Sequence, residues 1–282
     1  LPTYNIYTNF VAKFTTVSDT IETIDDRLLQ AMSEMPTITL DEMGKIRLMN
    51  RTDTKFLTNK ETLIRILTLA KGEYYAQEIN GKRIAHYRTT YWDFDDHRFY
   101  TMHEHGHKPR MKVRVRTYED SNGLTYLEIK RKDNKGKTRK VRTKVKSQTE
   151  LVESGGDTFL YQSTGIRLET IHPCLQNYFK RITLVNKGMT ERLTIDFDIQ
   201  YTNFETDRKA DSENLVIVEL KRDGLVYSPI KEILRILRIR PKGYSKYIMG
   251  SIFTNPSLKF NRLKPRLVQL RKINSQKLNN TL

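Results

Sequence analysis

The seven residues "KVRVRTY" at 112–118 constrain the fold more than any other stretch, because strict alternation is the signature of a β-strand with two different faces. Lys112, Arg114, Arg116 and Tyr118 then share one face, and Val113, Val115 and Thr117 the other. Two following segments repeat the arrangement. Leu124, Tyr126, Glu128 and Lys130 stand opposite Leu127 and Ile129, and Lys140, Arg142, Lys144 and Lys146 stand opposite Val141 and Val145. The turn signals "SNG" and "DNKG" lie between them, so hairpins are expected.

On pattern alone, an antiparallel sheet with one wetted side explains these strands as well as a barrel with its charged face inward. The sign of the charge weighs on the choice. A solvated face usually mixes lysine with glutamate, because like charges opposed across strands repel. Here residues 108–146 hold fifteen Lys or Arg against four Asp or Glu, within a chain of net charge +17. A polyanionic partner is implied, and a closed barrel would put a phosphate chain among the cations. Guanidinium forks bind phosphate oxygens in pairs and lysine adds compact charge, so the mixture suits phosphate better than carboxylate.

The pattern extends to both ends of the chain. "RLMNRTDTKFL" puts Arg51, Asp53, Lys55 and Leu57 on one face; "ERLTIDFDI" puts Arg192, Thr194, Asp196 and Asp198 opposite Leu193, Ile195 and Phe197; "LVIVELK" puts Glu219 beside Lys221. Glu219 suits either a divalent cation bridging phosphate oxygens or a salt bridge to an inward arginine. Helical spacing predicts an N-terminal helix capped by Ser18 or Asp19, a helix after Asn59, one starting at Ser228-Pro229, and a basic helix over about 258–275. The expected class is α+β: an antiparallel closed β-barrel with helices packed outside and helices at both termini. One domain spans 1–282, with a helical arm at 1–45, the barrel at 46–250 and the basic helix at 251–282.

Other chemistries find little support. The single cysteine, Cys174, excludes an intrachain disulfide and a cysteine-based zinc cluster, and fits a cytoplasmic location. No apolar run reaches the roughly 18 residues of a membrane span. His103, Glu104, His105 and His107 in "HEHGH" fall in a loop region without the rigid spacing of a metal site. Walker and Ser-His-Asp signatures are absent. Apart from Tyr118 and Tyr126, the charged faces carry few rings for base stacking, so no nucleic-acid partner is expected.

In order and spacing, "RLMNRTDTKF", "KVRVRTY", "LEIKRK", "NYFKRITL", "ERLTID", "VIVELK" and "YSKYIMG" resemble the VTC (vacuolar transporter chaperone) domain over about residues 45–250. That domain is one of the triphosphate tunnel metalloenzymes, and its better-known members are polyphosphate polymerases. The resemblance implies a barrel tunnel in which Mn2+ or Mg2+ helps hold ATP, whose γ-phosphate passes to a growing inorganic polyphosphate chain. It implies catalytic roles for Arg114, Arg116, Lys130 and Arg181. Phosphate binding would fall to Lys55, Lys140, Arg142, Arg192, Lys242, Ser245 and Lys246, and metal binding to Glu219. A hydrolase of triphosphate on the same tunnel and a non-catalytic polyphosphate or nucleic-acid binder are the alternatives, and a membrane partner would lie outside this chain.

Three departures from the family pattern stand out. The tunnel superfamily's Glu-x-Glu-x-Lys reads Arg51-x-Asp53-x-Lys55, which leaves fewer carboxylates for metal. Phe179 replaces a tyrosine two residues before Arg181. Gly243 replaces the lysine two before Ser245, with Lys242 one residue earlier.

Overall fold

The computed structural model describes residues 23–44, 46 and 51–275. Its elements in chain order are α1 (Ile24–Ser33), β1 (Thr37–Ile38), α2 (Leu40–Gly44), β2 (Arg51–Asn59), α3 (Lys60–Ala70), β3 (Tyr74–Gln77), β4 (Ala85–Asp93) and α4 (Arg98–Glu104). Next come β5 (Arg110–Tyr118), β6 (Leu124–Lys132), β7 (Thr138–Val145), α5 (Gly156–Thr164), β8 (His172–Asn186), β9 (Glu191–Asn203), β10 (Lys209–Asp211) and β11 (Leu215–Asp223). The chain closes with α6 (Pro229–Ile236), α7 (Lys246–Thr254) and α8 (Lys264–Ser275). None of the described helices is long and apolar enough to cross a membrane.

One sheet runs β2-β11-β9-β8-β4-β5-β6-β7, antiparallel at every step, with β1, β3 and β10 attached at its margins. The α+β class holds, but hydrogen bonds do not close the ring, since β2 and β7 are unpaired termini of this path. The free edge of β2 is already used. Phe56 bridges to Pro241, and the Lys242 N–H donates to the Lys55 carbonyl at 2.7 Å. A backbone edge satisfied in this way cannot also ladder with β7 at that point.

Both faces of the sheet are used. On the outer side, Leu63, Ile66 and Leu67 of α3 are fully buried against Val216, Val218, Leu193 and Ile195, with Leu28 and Met32 of α1 and Ile230 and Leu234 of α6 alongside. Each such side chain contributes about 1.5–3 kcal/mol by burial, which is what fixes short helices that would not persist alone. Asn59 caps α3 by accepting the Thr62 N–H at 2.9 Å, as its position predicts. The expected N-terminal cap at Ser18 or Asp19 lies outside the described residues; α1 is capped by Thr23 in a reciprocal box with Asp26.

The valines of "KVRVRTY" do face away from the charges. Val113 and Val115 are buried with Leu127, Ile129, Val145 and Leu160 of α5. Val141 breaks the expectation of helical cover, being 46% exposed on the terminal strand β7. Asp198 also leaves its expected face. It sits at φ +49° where the β8–β9 register shifts, and it pairs outward with Lys60 at 2.6 Å and Lys180 at 2.9 Å. A bulge reverses parity beyond it, so Ile199 and Tyr201 join the other core, against α7.

Helix α7 closes one end of the sheet because Gly250 lets it approach β8 and β9. A Cβ there would fall 2.7 Å from a Leu175 methyl and closer still to the Tyr201 ring. Gly250→Ala is therefore expected to lower stability by at least about 1–3 kcal/mol, read as a drop in the thermal midpoint.

Candidate triphosphate site

The charged face encloses a cavity of about 670 Å3, to whose wall each of the eight strands on the path contributes. β5 supplies Lys112, Arg114, Arg116 and Tyr118; β2 supplies Asp53 and Lys55; β6 supplies Lys130; β7 supplies Lys140 and Arg142. β4 adds Tyr87 and Tyr91, β8 adds Arg181, β9 adds Arg192 and Asp196, and β11 adds Glu219 and Lys221. Ser245 and Lys246 project from the start of α7. Of the residues expected at the site, Lys242 alone is not in this wall: its side chain is exposed and its backbone serves the β2 edge. The reason is local, because the β2 edge bond turns residues 241–242 along the strand.

Three carboxylates organise part of the wall. Glu128, 1% exposed, accepts from Arg114 Nε at 2.8 Å and Nη2 at 2.7 Å and is also bonded by Lys140. Burial pushes this carboxyl up, but Arg114, Arg116 and Lys140 outweigh it and hold it down at about 2. Asp196 takes Arg181 in a fork at 2.5 and 2.8 Å and Lys246 at its second oxygen. Burial disfavours the Asp196 charge, yet Arg181 and Lys246 keep it well below the usual carboxylate range. Glu219 meets Lys221 at 3.0 Å and Lys55 at 3.8 Å, and against its burial these lysines hold it ionised. The salt bridge anticipated for Glu219 is thus made to lysines rather than to an arginine.

The remaining cations are under-compensated. Among the described residues, Lys112, Arg116, Lys130 and Arg142 form no direct ion pair with a carboxylate, although Glu128 acts on Arg116, and Glu219 and Asp53 on Lys130, at longer range. Arg116, 7% exposed, donates Nε to Thr89 Oγ1 at 3.0 Å and lies beside the Tyr87 and Phe179 rings. Lys112 donates to Ser245 Oγ at 2.8 Å, and burial followed by Lys130 and Arg114 drives its ammonium well below the ordinary value. Burial, with Lys55 and Arg114 adding, brings Lys130 down to about 8. Lys246 is brought down to about 7 by burial, with Asp196 opposing and Arg181 adding to the fall. Cations so crowded and desolvated are poised to take up an anion of several charges.

Phe179 is fully buried, stacked on Tyr87 at 5.2 Å, with Lys246 Nζ 4.0 Å from its ring centre. The ring therefore seats cations, while Tyr87, Tyr91, Tyr118 and Tyr244 bring phenols to the wall. Lys112, Lys221 and Asp196 line the wall and Glu128 holds Arg114 and Lys140 in it, and none of the four is among the residues assigned to the site by motif. Strand parity already pointed to them, since each shares its face with a residue expected there.

No group of three His, Cys, Asp or Glu able to hold a metal occurs among the described residues. Asp53 and Glu219 are nevertheless wall carboxylates beside the lining cations. Such a sparse oxygen set fits Mg2+ or Mn2+, which draw most of their ligands from phosphate and water. The histidines of "HEHGH" form no such group: His105 and His107 are exposed, and only His103 turns inward, toward a second chamber.

The sequence profile of the VTC domain matches residues 50–254. No curated protein matches the chain. Among solved structures, a candidate adenylate cyclase from Bacillus halodurans aligns with a TM-score of 0.47 and 14% identity, covering 71% of this chain and 98% of that one. A conserved hypothetical protein from Pyrococcus furiosus aligns at 0.37 and 14% identity, over 69% and 98%. A candidate adenylyl cyclase from Hippeastrum, described as having a dominant triphosphatase activity, aligns at 0.41 and 10% identity, over 76% and 99%.

Proposed function

Because the chain belongs to the VTC domain family, we propose that it is an ATP-polyphosphate phosphotransferase working inside the cation-lined cavity as a tunnel. One observation carries this reading: four wall cations, the buried Arg116, the half-buried Lys112 and the more exposed Lys130 and Arg142, form no direct ion pair with a carboxylate among the described residues. A triphosphate supplies the missing charge along a line, as a single carboxylate or a lone phosphate does not. ATP and inorganic polyphosphate are the proposed substrates, and the wall cations are assigned the roles expected from the sequence, with Lys112 and Lys221 added.

Phosphoryl transfer asks for alignment and for stabilisation of the equatorial oxygens. Arg114 and Arg181, each pinned by a buried carboxylate, present guanidinium groups that need no reorientation when substrate arrives. Arg116, Lys130 and Lys112 supply charge. A terminal oxygen of the acceptor chain attacks the γ-phosphorus, a new P–O–P linkage forms, and the bond to the β-phosphate oxygen breaks with its electron pair leaving on ADP. Glu219, with Asp53 nearby on the neighbouring strand, would hold Mg2+ or Mn2+, which when bound offsets phosphate charge.

The carboxylates favour transfer over hydrolysis. Glu128, Asp196 and Glu219 are all ion-paired and held ionised at low pKa, so they are poor bases for activating water. A phosphate acceptor is already an anion and needs none. Incubating the protein with ATP and Mn2+ should give a ladder of chains longer than pyrophosphate on a gel; free phosphate without chain growth would instead support the hydrolase.

Binding should also consume protons. Lys246 at about 7 and Lys130 at about 8 are partly neutral in the free site, and an adjacent polyanion favours their charged forms. Affinity for tripolyphosphate is expected to fall as pH rises from 7 to 9, with proton uptake near pH 8. Calorimetry in buffers of different ionisation enthalpy measures both.

A further inference from the structure

Arg114, Arg116 and Arg181 line one cavity but are anchored differently. Glu128 holds Arg114 and Asp196 holds Arg181, whereas Arg116 is held at Nε by the neutral hydroxyl of Thr89, at 3.0 Å. Strand register extends this contact into a row across the sheet: Arg116 of β5, Thr89 of β4, Asn177 of β8 and Tyr201 of β9. Thr89 and Asn177 are both 0% exposed, in a layer otherwise filled by Tyr87, Phe179, Leu175 and Tyr201. Valine and leucine would fill the same space without burying a polar group, so a threonine and an asparagine here carry a desolvation cost that packing does not explain. Asn177 leaves both its side-chain oxygen and its nitrogen buried without a hydrogen-bond partner. The Tyr201 hydroxyl is engaged elsewhere, with Tyr244 at 2.9 Å.

Resting on the phosphotransferase reading, we infer that Thr89 is a positioning residue for Arg116 and that Asn177 sets the direction of its hydroxyl, so that a neutral anchor aims the guanidinium and leaves its charge for phosphate. A hydroxyl that accepts from Nε still has one proton of its own to place. The next side chain in the row is Asn177, whose Oδ1 is an unused acceptor. With the proton directed along the row toward β8, an oxygen lone pair is left facing Arg116. Nε is then occupied, and the two terminal nitrogens remain as a fork for paired phosphate oxygens. The Tyr87 and Phe179 rings, 5.9 and 5.8 Å from the guanidinium carbon, flank the group but offer it no directed bond. A carboxylate in place of Thr89 would aim the group equally well and neutralise it, as Glu128 does for Arg114 and Asp196 for Arg181. Donors fixed in advance stabilise developing charge without reorienting at the moment of reaction, and for Arg116 that fixing falls to Thr89.

The test combines ATP turnover and chain growth with a signal from the arginine itself. Both are measured on the wild type, Thr89→Val, Thr89→Ser, Asn177→Leu and Arg116→Met, and on Thr89→Val combined with each of the last two, with thermal midpoints to verify folding. The Arg116 Nε–H resonance, assigned by its loss in Arg116→Met, is followed for exchange with water. Thr89→Val should lower kcat about tenfold or more, the size of one hydrogen bond to a charged group, and leave KM for ATP within about twofold, because the charge stays and only its aim is lost. Thr89→Ser, which keeps the hydroxyl, should stay within about twofold of wild type. The Nε–H should exchange at least about tenfold faster in Thr89→Val and not in Thr89→Ser. Asn177→Leu should lower kcat several-fold alone and not in the presence of Thr89→Val, and Thr89→Val should cost nothing further in Arg116→Met. A loss as large in Thr89→Ser as in Thr89→Val, the same loss in the Arg116→Met background, or an unchanged Nε–H exchange rate would overturn the anchor while chain growth by the wild type still supports the phosphotransferase. Equal losses from Asn177→Leu with and without Thr89→Val would overturn the part given to Asn177. A wild type that grows no chains would overturn the phosphotransferase reading, and the Nε–H exchange would still test the anchor.

Discussion

Arg116→Met is expected to lower triphosphate turnover by about a hundredfold or more while leaving the thermal midpoint at or above that of the wild type. The two halves of this expectation have one origin. Arg116 is 7% exposed, bonded to Thr89 and set beside the Tyr87 and Phe179 rings, and burial followed by Arg114 pushes its guanidinium below its ordinary pKa. It is a cation that the fold holds at a cost. Methionine keeps much of the stem's volume and removes a charge that no direct ion pair satisfies, and Glu128, which Arg116 helps hold ionised, keeps its bonds to Arg114 and Lys140, so the fold loses little. Substrate loses a donor aimed into the cavity. Steady-state turnover and a melting curve on the same preparation read both effects, and full activity would remove Arg116 from the site.

Arg181→Met should behave differently although the two guanidiniums line the same wall. Arg181 forks onto Asp196, which is 4% exposed and otherwise bonded by Lys246. Removing it leaves a buried carboxylate with one partner where it had two, a loss expected to cost about 3–5 kcal/mol and to lower the thermal midpoint by several degrees. Turnover should fall as it does for Arg116→Met. Adding Asp196→Asn should recover much of the stability and none of the turnover, because the orphaned charge is gone but the phosphate ligand is still missing. A double variant no more stable than Arg181→Met would show that the pair is not what holds this part of the sheet.

The contrast between these arginines marks where sequence reading stops. Parity along "KVRVRTY" and "ERLTIDF" told which residues share a face, because a strand's period is two whatever its surroundings. It did not tell which cations are paired. That depends on register: Glu128 stands across from Arg114 on one side and Arg142 on the other, and Asp196 across from Arg181. A one-residue slip would give a different set of partners, and no local signal sets the register of strands as far apart in the chain as β4 and β8. Asp198 was misplaced for a related reason, since a bulge at a non-glycine residue leaves no mark in the alternation.

The ladder stays open for a different reason. Unbalanced charge on consecutive strands points to a polyanion on that face, but not to whether the sheet's last edges meet. Residues 241–242 satisfy the β2 edge instead, and nothing in "RPKGYSK" announces that bond. The second chamber was equally hidden, because His103 and Arg266 come from helices separated by most of the barrel and meet only through packing. The helices themselves were readable wherever an amphipathic stripe and a cap coincided, as at Asn59 and α3.

The central claim is that the charged face is the inside and that phosphates fill it. A crystal structure of the protein grown with tripolyphosphate tests this most directly. The account predicts phosphorus density within the cavity, in contact with Arg114, Arg116, Lys130 and Arg181. Density confined to the outer basic surface of the β6–β7 hairpin, at Arg131, Lys137 and Arg139, with none between the strands, would contradict it.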